Sequence, residues 1–220
     1  MKALILAAGR DAGIQAVHRD RPTCLIQFNK SSTTILDQQI ESLFSVGVST
    51  IGIVVGYELN QIVKHVCSRY EDCLRRFQFI VNPRFEHEND LYSLWLAREW
   101  LEQEPFICLR ANLLICPQLL DAALGCNSPI TTIVDPWPHP IGATIISSGV
   151  SRFLKTVDSI IRTSCSGSLD TAIEQLMSDG VPVVFSKAPG MTWAAINDPG
   201  DLAFARLYVF PRLKQLRCAA

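Results

Sequence analysis

The sequence has no long hydrophobic run. Its apolar opening, Ala3-Leu4-Ile5-Leu6-Ala7-Ala8-Gly9, is far shorter than the roughly 20 residues a membrane-spanning helix needs. No secretory cleavage region follows before charged residues begin, so the run reads as a buried first strand and the protein as cytoplasmic. Positive charge is not in excess either: 20 Lys and Arg against 21 Asp and Glu leave a net charge of −1. Without an overall basic field, a nucleic-acid role would need a local patch, and none is expected. The eight cysteines include no Cys-x-x-Cys pair, and several lie inside apolar runs such as Phe106-Ile107-Cys108-Leu109. Buried free thiols in a reducing compartment are expected, with zinc or disulfides as the alternatives. Histidines 18, 65, 87 and 139 have no metal spacing, and Ser147, Ser148 and His18 make no hydrolase constellation. Internal repeats, linkers and low-complexity segments are absent.

What is present is a chain of 220 residues, 48% hydrophobic and 19% charged, enough to bury a large core in one α/β domain. Residues 2–7 read as a strand ending at Gly9, followed by a polar loop to about Thr23. Leu36, Ile40 and Leu43 share one face of a helix over 34–46. A buried strand over 51–55 ends at Gly56-Tyr57, and a helix over 58–70 follows. Further strands are read at 77–81, 106–109 and 181–185, and further helices at 91–101, 117–124, 169–178 and from 201 onward. Asn89 and Asp90 are suited to cap the helix at 91. The stretch 125–140 carries four prolines and reads as loop and edge structure. Residues 142–147 and 150–156 read as a strand pair across Ser148-Gly149. The basic tail, Arg212, Lys214 and Arg217, reads as a solvated face.

Strands alternating with helices imply a largely parallel sheet covered on both faces. In such sheets ligands bind beyond the carboxyl ends of the strands, which directs attention to the loops after Ala8, Val55, Val81 and Leu109. Gly9 would let backbone N–H groups approach a phosphate or a base closely.

The order of segments resembles the sugar-phosphate and choline-phosphate nucleotidyltransferases. The resemblance is carried by Lys2-Ala-Leu-Ile-Leu-Ala-Ala-Gly-Arg10, Arg21-Pro-Thr-Cys-Leu-Ile26, Ile51-Gly-Ile-Val-Val-Gly-Tyr57 and Asn82-Pro83. It continues through Asn89-Asp-Leu-Tyr-Ser-Leu-Trp-Leu-Ala97, Phe106-Ile-Cys-Leu-Arg-Ala-Asn112 and Trp193-Ala-Ala-Ile-Asn-Asp-Pro-Gly-Asp-Leu202. The Asn-x-x-Tyr-Ser-Leu block and the Val-Gly-Tyr strand end look most like the bacterial CTP:phosphocholine cytidylyltransferase branch.

That resemblance implies a Rossmann-like three-layer α/β/α sandwich of the nucleotide-diphospho-sugar transferase (GT-A-like) type, with a mostly parallel mixed sheet. It implies a single domain over 1–220, with a small acceptor-side portion around 125–168. It implies transfer of a nucleoside monophosphate, CMP from CTP in the first place, to a small phosphorylated or phosphonylated acceptor with release of pyrophosphate. Leu6, Ala7, Ala8, Gly9, Arg10, Asp11, Gly56 and Arg110 would then bind the nucleotide, and Asn89 and Tyr92 would face the acceptor. Arg10, Thr23 and Lys155 would stand at catalytic positions, with Lys155 meeting the acceptor phosphate. Asn112 and Asn197 would stand where Mg²⁺ is held. A homodimer is one option for assembly.

The sequence departs from the family pattern at several of these positions. Asp11 replaces the second glycine of the loop, and Gly13 stands near an expected arginine. Thr23 occupies the lysine position of the Arg-Pro-Lys motif, and Asn112 replaces the metal-binding Asp. Asn197 stands where some relatives also use Asn. Arg10, Arg19, Arg21 and Arg110 are candidates to neutralise phosphate instead, and Asp198 or Asp201 to approach a metal. A catalytically degenerate relative, acting as a ligand- or partner-binding module, is the alternative expectation, and a changed chemistry in the same pocket is a third.

Overall fold

The computed structural model describes every residue except 11, 16–20, 29–31, 88, 103, 164–166, 191 and 219–220. The strands are β1 (Lys2–Ala7), β2 (Thr50–Val55), β3 (Phe77–Val81), β4 (Phe106–Arg110), β5 (Leu113–Ile115), β6 (Ile130–Val134), β7 (Pro140–Ile146), β8 (Val183–Lys187) and β9 (Trp193–Ala195). The helices are α1 (Ala12–Gln15), α2 (Ile35–Ser45), α3 (Leu59–Arg69), α4 (Asp90–Leu96), α5 (Arg98–Leu101), α6 (Pro117–Leu124), α7 (Val150–Thr163), α8 (Leu169–Ser178), α9 (Pro199–Phe204) and α10 (Phe210–Cys218).

Among the described residues, seven strands form one sheet in the order β3-β2-β1-β4-β7-β6-β8. Only β7 runs against its neighbours; the other pairs are parallel. The apolar run of β1 explains its central place, because both of its faces are covered. Ala3, Ile5 and Ala7 point into one hydrophobic layer with α2 and α6, while Leu4 and Leu6 point into the other with α4, α7 and α8. The result is a three-layer α/β/α sandwich. A short antiparallel ribbon, β5 with β9, stands apart from the main sheet.

The chain runs outward from β1 to β2 and β3, then returns to lay β4 on the other flank of β1. This reversal opens a crevice beyond the carboxyl ends of β1 and β4, the usual place for a ligand in such a sheet.

Three elements differ from the sequence reading. The proline-rich stretch contains β6, whose five residues are all buried between β7 and β8. Pro129 and Pro136 lie just outside it and remove no ladder hydrogen bond from it. Residues 150–156 begin α7 rather than a strand, since Val150, Phe153 and Val157 bury one helical stripe. The helix read at 91–101 is broken at Ala97 into α4 and α5. Trp95 Nε1 donates to Asp158 Oδ1 at 2.8 Å, and the Trp100 ring lies against Gly52, so both indoles serve packing.

Gly56 closes β2 against the loop after β1. A Cβ there would lie 2.6 Å from the Phe85 Cβ and 2.8 Å from the Ala8 carbonyl oxygen. Both atoms are fixed by the backbone, so Gly56→Ala should cost about 1–3 kcal/mol of stability through overpacking. Chemical denaturation would register this as a lower midpoint at unchanged slope.

Candidate functional site

The crevice at the end of β1 and β4 forms a polar cavity of about 220 Å³. Its walls bring together Leu6, Ala7, Gly9, Thr23, Arg110, Asn112 and Asn197, which are among the residues the sequence singles out. Asp90 also lines it, beyond its expected role in capping. The volume is below the ~300–1,000 Å³ usual for small-molecule pockets, so a nucleotide would extend past the mouth.

Long-range side-chain contacts hold the walls in place. Gln39 of α2 is buried and donates through Nε2 to the Arg110 carbonyl at 2.7 Å and the Leu113 carbonyl at 2.8 Å. Its neighbour Gln38 accepts from the Ile115 N–H at 3.2 Å and donates back to the Ile115 carbonyl. These two amides staple the turn that carries Asn112 onto α2. In sequence, their trace is the polar run Asp37-Gln38-Gln39, joined by Ser42, among the apolar residues that α2 buries.

Arg110 sits between carboxylates. Its Nε donates to Asp90 Oδ2 at 2.9 Å, and its Nη2 lies 3.6 Å from Asp170 Oδ2. Gly142, at φ +94°, makes room for the arginine stem, because a Cβ there would lie 3.1 Å from the Arg110 Cδ. Beneath them, burial and then the Asp90 charge push the Cys108 thiol well above its ordinary range, so it stays a neutral packing group. Cys24, Cys67, Cys73, Cys108, Cys116 and Cys126 form no disulfide with one another.

Asn112 and Asn197 do converge. Asn112 Nδ2 donates to Asn197 Oδ1 at 3.0 Å, while Asn197 donates its backbone N–H and its Nδ2 to Asp201 Oδ2 at 2.9 and 3.2 Å. Asp198 is occupied as the cap of α9, accepting from the Asp201 N–H. Gly13 packs against the same corner, where a Cβ would fall 2.3 Å from the Asn197 carbonyl oxygen.

This donor set does not fit Mg²⁺. The ion favours hard, charged oxygen ligands. Here the two amides are neutral, the Asn197 oxygen is taken by Asn112, and Asp201 and Asp198 are engaged with amide and backbone donors. Among the described residues, no group of three or more His, Cys, Asp and Glu is placed to hold a metal.

The remaining expected site residues have other surroundings. Ala8 is buried, and its carbonyl accepts from the Tyr57 N–H at 2.9 Å. Arg10 is exposed, its guanidinium 5.4 Å from the centre of the Tyr57 ring. Gly56 packs beneath the loop rather than lining the cavity. Asn89 caps α4 by accepting from the Leu91 and Tyr92 N–H groups, and Tyr92 stacks on Trp95 with ring centres 5.5 Å apart. Lys155 needs correction: it lies on the exposed side of α7, not at a strand end, and it is not among the cavity-lining residues. Arg21 lines a different cavity. Asp11 and Arg19 lie outside the described residues.

No family model matches the chain. It is 24% identical over 140 residues to the CTP:phosphoglutamine cytidylyltransferase of Campylobacter jejuni, a match spanning 61% of this chain and 53% of that protein. It is 32% identical over 101 residues to the choline-phosphate cytidylyltransferase of Streptococcus pneumoniae, spanning 46% of this chain and 41% of that one. The matches thus span about half the length of these curated relatives. Among solved structures, the inositol-1-phosphate CTP transferase from T. maritima superposes with a TM-score of 0.74 at 18% identity, covering 91% of this chain and 90% of its own. In sequence the chain is thus similar to two cytidylyltransferases, and in fold to a solved CTP transferase.

Proposed function

We propose that the protein transfers CMP from CTP to a small phosphorylated acceptor and releases pyrophosphate. One observation carries the reading: the loop after β1, Thr23, Arg110 and the Asn112–Asn197 pair meet in one cavity at the β1/β4 crevice. In this reaction an acceptor phosphate oxygen attacks the α-phosphorus, and the bond to pyrophosphate breaks in line. The protein needs no nucleophile; it positions the reactants and balances charge. Gly9 supplies close backbone approach for the triphosphate. Arg110 is the cationic side chain among the described cavity-lining residues, oriented by Asp90 and Asp170. Arg10, which directly follows Gly9 in sequence and lies over Tyr57, is a second cation that would approach phosphate. The stretch 125–168 contributes β6, β7 and α7 to the main sandwich, which supports an acceptor of phosphocholine size rather than a large sugar nucleotide precursor. Among the described residues no helix is long and apolar enough to cross a membrane.

The Asn112–Asn197 hydrogen bond favours a second reading, in which the cavity binds nucleotide without turning it over. The two separate in one experiment. CTP should raise the melting temperature, because a ligand bound to the native state stabilises it. Incubation with CTP, Mg²⁺ and phosphocholine or similar acceptors should then release pyrophosphate. A thermal shift without release across four NTPs and the acceptor panel would select the binding module. No shift with any nucleotide would end both readings.

A further inference from the structure

A second cavity, of about 500 Å³, lies on the far side of the segment that walls the first. Pro22, Thr23 and Cys24 face the nucleotide crevice, whereas Arg21, Leu25 and Gln27 face this one. Its opposite wall is one face of α3, where Lys64, His65, Ser68 and Arg69 recur at helical spacing. No Asp or Glu is among its described lining residues. Arg21, Lys64 and Arg69 make no ion pair or hydrogen bond with any described residue. In a chain of net charge −1, three cations thus line one concave surface that has no acidic residue among its described lining.

His65 is held differently. Its Nε2 donates to Asp37 Oδ1 at 2.9 Å, and Asp37 is fully buried behind it. The anchored ring gives the cavity a fixed polar wall beside the cations. Ser68 and Gln27 add neutral hydrogen-bonding groups.

We propose that this cavity is a binding site for phosphate-bearing anions, separate from the nucleotide crevice. Unpaired arginine and lysine side chains at a concave wall focus positive potential and match phosphate oxygens. Free pyrophosphate and a phosphate carried on an organic molecule share this chemistry. The site stands on its own lining and does not depend on the transferase reading.

The test titrates the full chain at low salt with inorganic pyrophosphate in one arm and with a sugar phosphate in the other, using calorimetry. The Lys64→Gln/Arg69→Gln double variant changes two exposed side chains, and its melting temperature without ligand should match the parent. It should bind at least ~10-fold more weakly in one arm or both, since two charge contacts to the anion are lost together. Weakening in both arms assigns recognition to the phosphate itself; weakening only with the sugar phosphate assigns it to the organic ligand. Unchanged binding by the double variant, or no binding to the parent at millimolar concentration, overturns the proposal. Binding lost on Arg110→Gln but kept in the double variant would place the anion in the first cavity and overturns it equally.

Discussion

Asp37→Asn is expected to lower stability by about 1–3 kcal/mol or more, the usual cost of leaving buried donors to a carboxylate unsatisfied. The Asp37 side chain is 0% exposed and accepts four hydrogen bonds. Oδ2 takes the Thr34 N–H and Oγ1–H, each at 2.8 Å. Oδ1 takes His65 Nε2 at 2.9 Å and the Tyr70 hydroxyl at 3.0 Å. Burial and then the Asp37 charge raise the Tyr70 hydroxyl far above its ordinary range, so it remains a donor. Asparagine fills the same space but offers one acceptor oxygen and turns an N–H toward donors. The change also breaks the reciprocal cap at the start of α2, formed by Thr34 and Asp37. For a chain of this length the melting temperature should fall by roughly 2–4 °C per kcal/mol.

The pH dependence gives the same prediction a sign. Burial raises the Asp37 pKa, but the hydrogen bond from His65, the bonds from Thr34 and the His65 charge outweigh it, and the carboxyl ends below its ordinary value. A group whose folded pKa is depressed contributes stability that is complete above the unfolded value, about 3.9, and is lost as pH falls through the folded one. The gap between parent and Asp37→Asn should therefore be constant near neutrality and shrink in strong acid. Denaturation series at several pH values would measure it; a gap that widened on acidification would contradict the assignment.

The second large effect is expected from Asn112→Asp combined with Thr23→Lys. The new carboxylate would face Asn197 Oδ1 across the present 3.0 Å hydrogen bond, oxygen against oxygen. Without a cation this contact repels, so the double variant should melt lower than the parent and recover when Mg²⁺ is added. Thr23 is buried at the cavity wall, so a lysine there would send its ammonium inward toward phosphate. One unit-charge contact near ~4 Å is worth about 4 kcal/mol at an effective dielectric of ~20, close to a 10³-fold change in binding. CTP affinity should rise by at least tenfold and become Mg²⁺-dependent. A fall in CTP affinity would mean that Thr23 and Asn112 serve a different ligand.

Much of this was legible from local pattern, and the exceptions have a common cause. β1, β2 and β4 are continuous apolar runs, and α2 and α3 repeat apolar residues at helical spacing, so each declares itself within its own segment. The seven-residue window 150–156 does not, because a helical stripe needs the later Val157 to distinguish it from alternation. β6 was hidden by its proline flanks. In the site, Gly9, Thr23, Arg110, Asn112 and Asn197 were found from the order of motifs. Gln38, Gln39, Asp90 and Gly142 were not, because each acts on a residue 20 to 77 positions away or across a strand pair, a relation that no local spacing encodes.

The seating of Gly13 on the Asn197 carbonyl joins the beginning of the chain to its end. Phe28 stacks on Phe210 at 4.5 Å, and Arg206 Nη2 donates to the Gln27 carbonyl at 3.1 Å across the same divide. During synthesis, the strands and helices before residue 190 can pair and collapse as they emerge, but Asn197 joins the cavity wall only once the segment that carries it has emerged. Contacts this distant in sequence form late, since the loop they close must be ordered first. A nascent chain stalled short of residue 197 would therefore carry most of the sandwich and lack the Asn112–Asn197 contact that closes the pocket.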